Sequence, residues 1–341
     1  MKTNLRKRIV ITAIVVIIVV SLFLSLLFYL NPLGVYAGKV ESVSVAYSPF
    51  ESVALFWIAE DQHFFSGNGL NITSHRYDTG AGALGGMLNG EADIAVGTNE
   101  FPLVGRALDQ ARIRTIGSIS KSEFIYLVGR RDLGIENVSD LKGKRVGTTF
   151  GTIAHFYLGR FLSLNGMKIQ DVTLVDVKTP AEWVNAIVDG EIDAIATAQP
   201  YANSIQDRLG VNAIVWSVQN HQPLYTQVIS ADEWITEHPG LVIKFLKSLA
   251  RAEEFANDYP GEAKAIVRKH MNFTEEYIET VWNQNQFGLS LDQSLILAME
   301  GEARWMISNN LTNQTVIPNF LNYVYLQGLD SVKPESVDIT R

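Results

Sequence analysis

A short segment from Gly147 to Phe156, GTTFGTIAHF, combines residue types that suit the binding of a small anion. It lies between an apolar, strand-like segment and a helix-like segment that begins near Thr152. The first turn of a helix leaves backbone N–H groups free, and the helix dipole favours a negative group there. Thr149, Phe150, Gly151 and Thr152 are therefore predicted ligand contacts, with an ordinary helix N-cap as the alternative.

Further candidate contacts follow other strand-like segments. Phe50 could stack on a ligand or pack under the next helix, and His155 could face the ligand or be structural. Glu100 could accept a hydrogen bond from an ammonium group or a ring nitrogen, or it could lie at the surface. The other candidates are small or polar residues at strand ends or in a glycine-rich turn: Ser48, Pro49, Thr79, Gly80, Gly82, Thr98, Asn99, Gln199 and Tyr201.

The glycine-rich segment TGAGALGG has the spacing of a dinucleotide-binding fingerprint. Gly80, Gly82 and Gly85 follow a strand pattern, and Glu100 comes about twenty residues later. The corresponding segment in the second half of the chain, TPAEWVNA, has no glycine. We interpret these glycines as allowing close backbone approach to a small solute.

Sequence motifs for catalysis and metal binding are missing. The six histidines are scattered without metal-ligand spacing, and there is no cysteine for a thiolate centre. The GxSxG motif of a serine nucleophile does not occur. The sequence predicts a binding protein rather than an enzyme, with no metal and no cofactor.

The elements that position these residues alternate between strand and helix patterns. VESVSVAYSP and LNITSHRYD read as strands, SVALFWIAEDQHFF and GAGALGGMLNG as helices, and ADIAVG as a strand. This order is typical of a parallel sheet, and it resumes from Phe124 to Ala198. From Asp232 onwards, apolar residues at helical spacing predict helices that cover the first half.

One unit occurs twice in the chain. NGEADIAVGTNEFP begins at Asn89, and DGEIDAIATAQPYA begins at Asp189. In each copy a glycine ends a helix, and Asp93 or Asp193 is predicted to support the turn into a strand. Ligands of open parallel sheets lie at the carboxyl ends of the strands. The segments after both strands are therefore predicted to face one cleft between two lobes.

The first 39 residues differ from the rest. Four basic residues precede an uncharged apolar run, Ile9–Leu30, which predicts a single-pass membrane helix with the remaining chain outside the cytoplasm. A signal peptide cleaved near Ala37, giving a secreted or periplasmic protein, is the alternative. Beyond residue 39 the chain has 23 basic residues, the total of 28 less five, against 36 acidic ones. Such an acidic body is a poor partner for nucleic acid.

The order of these segments resembles the nitrate/sulfonate/taurine-type solute-binding proteins of ABC importers, a group that includes binders of thiamine precursors. The resemblance covers residues 42–335, and the matching stretches are AYSPFESVALFWIAEDQHFFSGNGLNI, LNGEADIAVG, SDLKGKRVGTTFGTIAHFYLGRFLSLNGM and VYLQGLDSVKPESV. It implies an α/β, two-lobed periplasmic-binding-protein fold of type II. Residues 40–120 and 225–335 would then form lobe 1, and residues 121–224 lobe 2.

The resemblance also implies a function. The chain would capture a small anion of the sulfonate, taurine or nitrate class and deliver it to an ABC permease with its cytoplasmic ATPase. A binder of a thiamine-precursor pyrimidine is the alternative, and an enzyme similar to pyrimidine synthase is a further one. That enzyme needs a cysteine-rich motif, which this chain lacks.

Overall fold

The computed structural model describes residues 38–340. The membrane helix predicted over residues 9–30 and the cleavage site predicted near Ala37 lie outside the described residues. Among residues 38–340, no helix has both the length and the apolar character needed to cross a membrane.

Eleven strands form two separate sheets in the described part of the chain. The first sheet has six strands in the order β11-β4-β10-β3-β1-β2, and with its helices we call it lobe 1. Its strands are β1 (Glu41–Tyr47), β2 (Leu70–Arg76), β3 (Ile94–Asn99), β4 (Ile113–Ser122), β10 (Leu224–Ala231) and β11 (Asn285–Ser290). β1 runs parallel to β2 and β3, whereas β10 runs antiparallel to β3 and β4.

The second sheet has five strands in the order β7-β6-β8-β5-β9, and with its helices we call it lobe 2. Its strands are β5 (Ile125–Arg130), β6 (Arg145–Thr148), β7 (Thr173–Asp176), β8 (Ala194–Ala198) and β9 (Ala213–Ser217). The chain changes sheets between β4 and β5 and returns between β9 and β10. The residue boundaries given above for the lobes stay a prediction.

Helices cover both sheets. In lobe 1 the first four are α1 (Ala54–Asp61), α2 (Phe64–Gly67), α3 (Gly80–Leu88) and α4 (Glu100–Leu108). Those of lobe 2 are α5 (Ile153–Leu164), α6 (Pro180–Val188) and α7 (Tyr201–Leu209). The remaining ones are α8 (Asp232–Glu237), α9 (Pro239–Asp258), α10 (Pro260–Met271), α11 (Glu275–Trp282), α12 (Gln293–Ser308) and α13 (Leu326–Asp330).

Two sequence-based expectations for lobe 1 need correction. The helix expected over SVALFWIAEDQHFF is interrupted, because His63 adopts a left-handed backbone conformation between α1 and α2. The break lets Phe65 pack against Phe245 of α9, with ring centroids 5.0 Å apart. The chain is also not helical throughout after Asp232, since β11 adds an edge strand beside β4 and buries Leu289.

The repeated unit forms the same turn in both lobes. Gly90 and Gly190 have positive φ angles of 78° and 79° at the ends of α3 and α6. In each copy the next residue, Glu91 or Glu191, donates its N–H to a carbonyl five residues earlier, at 2.9 Å, which is a Schellman motif. Glycine tolerates this left-handed geometry without strain.

The aspartate of each repeat then links two strands. Asp93 Oδ2 accepts hydrogen bonds from the backbone N–H and the hydroxyl of Ser44 in β1, at 2.7 and 2.6 Å. Asp193 binds the backbone N–H of Arg145 in β6 at 2.8 Å and its guanidinium at 2.6 Å. Both aspartates therefore have the structural role expected from the sequence.

Candidate ligand-binding cleft

The carboxyl ends of β1 and β3 meet at one edge of lobe 1. Ser48, which is fully buried, donates its hydroxyl to the carbonyl of Gly97 at 2.6 Å. Gly80, the first residue of α3, packs directly on the backbone of Gly97 and Thr98. Thr79 caps α3 by accepting the N–H of Gly82 at 3.0 Å. Four of the predicted contacts, Ser48, Thr79, Gly80 and Thr98, are thus brought together.

Asn99 and Glu100 begin α4. Asn99 caps this helix by accepting the N–H of Phe101 at 3.0 Å. Glu100 is fully buried, so the alternative that it lies at the surface is wrong. Its Oε2 atom accepts the N–H of Tyr225 in β10 at 2.8 Å. Glu302 of α12 is equally buried. Burial raises the pKa of Glu100 to about 7, and it raises the pKa of Glu302 well above its usual range.

The predicted anion site in lobe 2 already has internal hydrogen bonds. The hydroxyl of Thr149 donates to the carbonyl of Val177, and that of Thr152 donates to the carbonyl of Thr149, both at 2.7 Å. The N–H of Phe150 donates to the carboxylate of Asp176 at 3.0 Å. An anion at this helix start would therefore rely on backbone amides, with a carboxylate nearby.

A row of side chains continues from Thr149 along lobe 2. Trp183 donates its indole N–H to Thr149 Oγ1 at 3.0 Å, and the ring of Tyr201 meets the indole edge-on at 5.1 Å. Gln199 donates its side-chain amide to Asn203 at 2.8 Å and accepts the N–H of the same residue, so it caps α7. The ring of Tyr201 is thus held against another lobe 2 side chain, and its contact with a solute stays a prediction.

The sequence analysis missed Glu51, which follows directly after the half-buried Pro49 and Phe50. Glu51 is 4% exposed and begins a short 3-10 turn before α1. Burial raises the pKa of its carboxyl to about 7. The phenol pKa values of Tyr201 and of Tyr277 in α11 are also raised. Burial is the larger cause, and the negative charge of Glu51 is the next. Glu51 belongs to lobe 1 and Tyr201 to lobe 2.

A separate aromatic group joins the two lobes. Phe150 stacks on His155 with ring centroids 5.1 Å apart, and Trp305 of α12 meets His155 edge-on at 4.9 Å. Phe156 and Phe101 also pack on Trp305, at 5.7 and 6.2 Å. Burial lowers the pKa of His155, which leaves a neutral ring in a packed contact. A cavity of about 530 Å³ lies beside this group, between α4, Gly151 and the segment after α12.

Within residues 38–340, no cluster of three or more histidine, aspartate or glutamate side chains is arranged to hold a metal ion. The three glycines of the Gly80-x-Gly82-x-x-Gly85 segment lie within α3 and not in a loop before it. Of the three, only Gly80 is in tight contact with backbone atoms.

Solved structures with a similar fold include periplasmic binding proteins and an enzyme. The aliphatic sulphonate binding protein SsuA from Escherichia coli superposes with a TM-score of 0.70 and 17% identity, over 84% of this chain and 98% of SsuA. The desulfurization enzyme DSZB superposes with a TM-score of 0.62 and 16% identity, over 86% of this chain and 99% of the enzyme. The predicted periplasmic-binding-protein α/β fold is thus confirmed, and the fold by itself does not separate binding proteins from enzymes.

Sequence comparison identifies the family. The NMT1/THI5-like family profile matches residues 51–263, so the chain belongs to this family. Among curated relatives, the taurine-binding periplasmic protein of Escherichia coli (strain K12) is 23% identical over 278 residues, which are 81% of this chain and 79% of that protein. The resemblance inferred from the sequence is therefore confirmed.

Proposed function

We propose that this chain is the extracytoplasmic solute-binding component of an ABC importer. It binds a small solute of the sulfonate, taurine or nitrate class between its two lobes and delivers it to a permease with a cytoplasmic ATPase. Family membership and the names of the relatives support this assignment. It binds and releases its solute without a chemical step.

The observation that carries the proposal is a set of buried polar atoms without partners, two of them near the carboxyl ends of lobe 2 strands. The hydroxyls of Thr148 and Thr197, near the carboxyl ends of β6 and β8, have no hydrogen-bond partner among the described residues, and neither does the hydroxyl of Tyr277. Each unpaired buried polar group costs about 1–3 kcal/mol. A polar solute bound in the cleft would supply the missing partners.

The proposed contacts are those predicted from the sequence, with Glu51 added. The lobe 1 contacts surround Ser48 and Thr98, and the lobe 2 contacts extend from the start of α5 to Tyr201. A thiamine-precursor pyrimidine remains a second candidate solute, because the carboxyl of Glu51 could accept hydrogen bonds from ring or amino nitrogens. An enzyme that uses a cysteine is excluded, since the chain has none.

Ligand screening by thermal unfolding tests this function. We expect the full-length chain in mild detergent to melt at a higher temperature with at least one member of a panel of sulfonates, taurine, nitrate and pyrimidines. A solute at a hundred times its dissociation constant adds about 2.7 kcal/mol to the free energy of unfolding. No rise in melting temperature with any member of this panel, together with a rise when a nucleotide cofactor is added, would contradict a solute-binding role.

The proposal includes a membrane tether formed by residues 9–30. Their uncharged sequence is long enough to span a bilayer, and the chain has no cysteine for a thiol-linked lipid. We expect N-terminal sequencing of the protein from its native cells to give the start of the full chain. A mature N-terminus at Gly38 would show instead that a signal peptide is removed.

A further inference from the structure

Two acceptor triplets for N-linked glycosylation follow each other directly after α12. Residues 310–315 read NLTNQT, so Asn310 begins one Asn-x-Thr triplet and Asn313 begins the next. Such a triplet accepts a glycan when it lies on the surface of a chain outside the cytoplasm. A single triplet is a weak signal, and its weight depends on how the fold presents the asparagine.

The fold presents both asparagines on an open surface segment. α12 ends at Ser308, and residues 309–319, which we call the NLTNQT loop, contain no helix and no strand. Asn310 and Asn313 are both exposed. Among residues 38–340, neither side-chain amide has a hydrogen-bond partner. A modifying enzyme can therefore reach both amide nitrogens without unfolding a helix or a strand.

The end of α12 fixes where the loop begins. Asn310 has a φ of 56°, a left-handed conformation that asparagine adopts more readily than most residues do. The N–H of Leu311 donates to the carbonyl of Met306 at 2.9 Å, which closes the end of the helix. The triplets thus lie just beyond a well-defined helix end.

The other three triplets of the described chain are exposed but lie in hydrogen-bonded backbone. Asn71 belongs to strand β2, and Asn137 donates its N–H to Asp140 within a 3-10 turn at 2.8 Å. In the triplet of Asn272, the hydroxyl of Thr274 is already used as the cap of α11. The NLTNQT loop is therefore the most accessible of these acceptor segments.

We propose that the NLTNQT loop carries an N-linked glycan, on Asn310, on Asn313 or on both. This modification is separate from solute binding, and it rests on the proposed location of the chain outside the cytoplasm. The donor is a lipid-linked oligosaccharide. The amide nitrogen bonds to the anomeric carbon of the sugar, and the bond from that carbon to the phosphate oxygen of the donor breaks. The lipid phosphate leaves with the electron pair, and the amide proton passes to a base of the transferase.

The surroundings of the loop suit a bulky hydrophilic group. Leu311 and Val316 are apolar but 40% and 76% exposed. Leu311 and Asn313 also line the cavity of about 530 Å³ beside Arg106. A glycan on this loop would cover apolar surface that otherwise favours association with other molecules, and it would stand at the mouth of that cavity.

Mass spectrometry of the full-length protein purified from its native cells tests the inference. Trypsin cuts after Arg304, and Lys333 precedes a proline, so the loop is recovered in the peptide of residues 305–341. We expect this peptide to be heavier than its sequence by the mass of several sugar residues. Fragmentation should place the added mass on Asn310 or Asn313. Asn319 and Asn322, which begin no acceptor triplet, are the internal controls and should be unmodified.

Two double variants expressed in the same cells separate the triplet from other effects. Thr312→Val with Thr315→Val keeps both asparagines and the side-chain shape but removes the hydroxyls that the triplets require, so the added mass should disappear completely. Thr312→Ser with Thr315→Ser keeps both triplets and should retain the glycan. The threonines are the better positions to change, because the left-handed backbone at Asn310 suits asparagine.

The outcomes separate this inference from the proposed function. A parental peptide with the mass of its sequence overturns the inference, as does a glycan confined to other triplets or one that the valine variant retains on the loop. None of these results affects solute binding, which thermal unfolding with the solute panel measures independently. A glycosylated chain that no solute of the panel stabilises would keep the inference and contradict the function.

Discussion

Alanine at Gly80 is expected to lower the free energy of unfolding by about 3 kcal/mol, the upper part of the usual range for overpacking. A Cβ atom at this position would lie 2.6 Å from the carbonyl oxygen of Gly97 and 2.7 Å from the Cα atom of Thr98. Both are backbone atoms of β3 and cannot rotate away. Relief of the clash would displace α3 or the end of β3, where the proposed contact Thr98 lies.

Gly85→Ala is the matched control for this substitution because it lies in the same helix. A Cβ atom at Gly85 would have no neighbour within 4 Å. Alanine is more favourable than glycine inside a helix by about 0.5–1 kcal/mol, so this variant should be slightly more stable than the parent. Urea unfolding of both variants gives the comparison. Similar effects at the two positions would show that α3 does not pack against β3 as described.

Glu302→Gln is expected to remove much of the pH dependence of stability between pH 5 and pH 8. Burial raises the pKa of Glu302, with Glu100 beside it, so the folded protein retains protons that the unfolded chain releases. The stability associated with Glu302 is fully present below the unfolded pKa of about 4.5 and is lost as the pH rises through its raised folded pKa. For Glu100 the loss occurs as the pH rises through about 7. The parent should therefore melt at a lower temperature at pH 8 than at pH 5.

Glutamine at position 302 cannot ionise, so the variant no longer has the buried carboxyl that must lose its proton beside Glu100 as the pH rises. We expect the variant to exceed the parent in free energy of unfolding at pH 8 by on the order of 1–3 kcal/mol, with little difference at pH 5. Melting temperatures measured across this pH range provide the test. Glu275→Gln, on the exposed surface of α11, is the control and should leave the slope unchanged. A parental slope in Glu302→Gln would show that Glu302 is not the source of the pH dependence.

The fold was accessible from the sequence because its signals are local. Alternation of apolar residues predicted the strands, and the repeated Gly-Glu-x-Asp unit predicted both turns, whose hydrogen bonds to Ser44 and Arg145 the structure shows. Edge strand β11 gave no comparable signal, since it is short and lies between helices.

The candidate site was less accessible because it depends on contacts between distant segments. Glu51 at a helix start reads as an ordinary acid near the positive end of a helix, and its burial follows from the packing of its turn against β4. Glu302 similarly resembles a surface residue of an amphipathic helix. The sequence could not show that the hydroxyls of Thr149 and Thr152 already have acceptors, which are the backbone carbonyls of Val177 and Thr149.

The most direct test of solute binding between the lobes is a crystal structure of the protein with the first solute that raises its melting temperature. We expect the solute to contact the Ser48–Thr98 edge of lobe 1 and Tyr201 of lobe 2 at once. A solute bound elsewhere, for example in the cavity beside Arg106, without contact to Ser48, Thr98 or Tyr201, would contradict the proposed site.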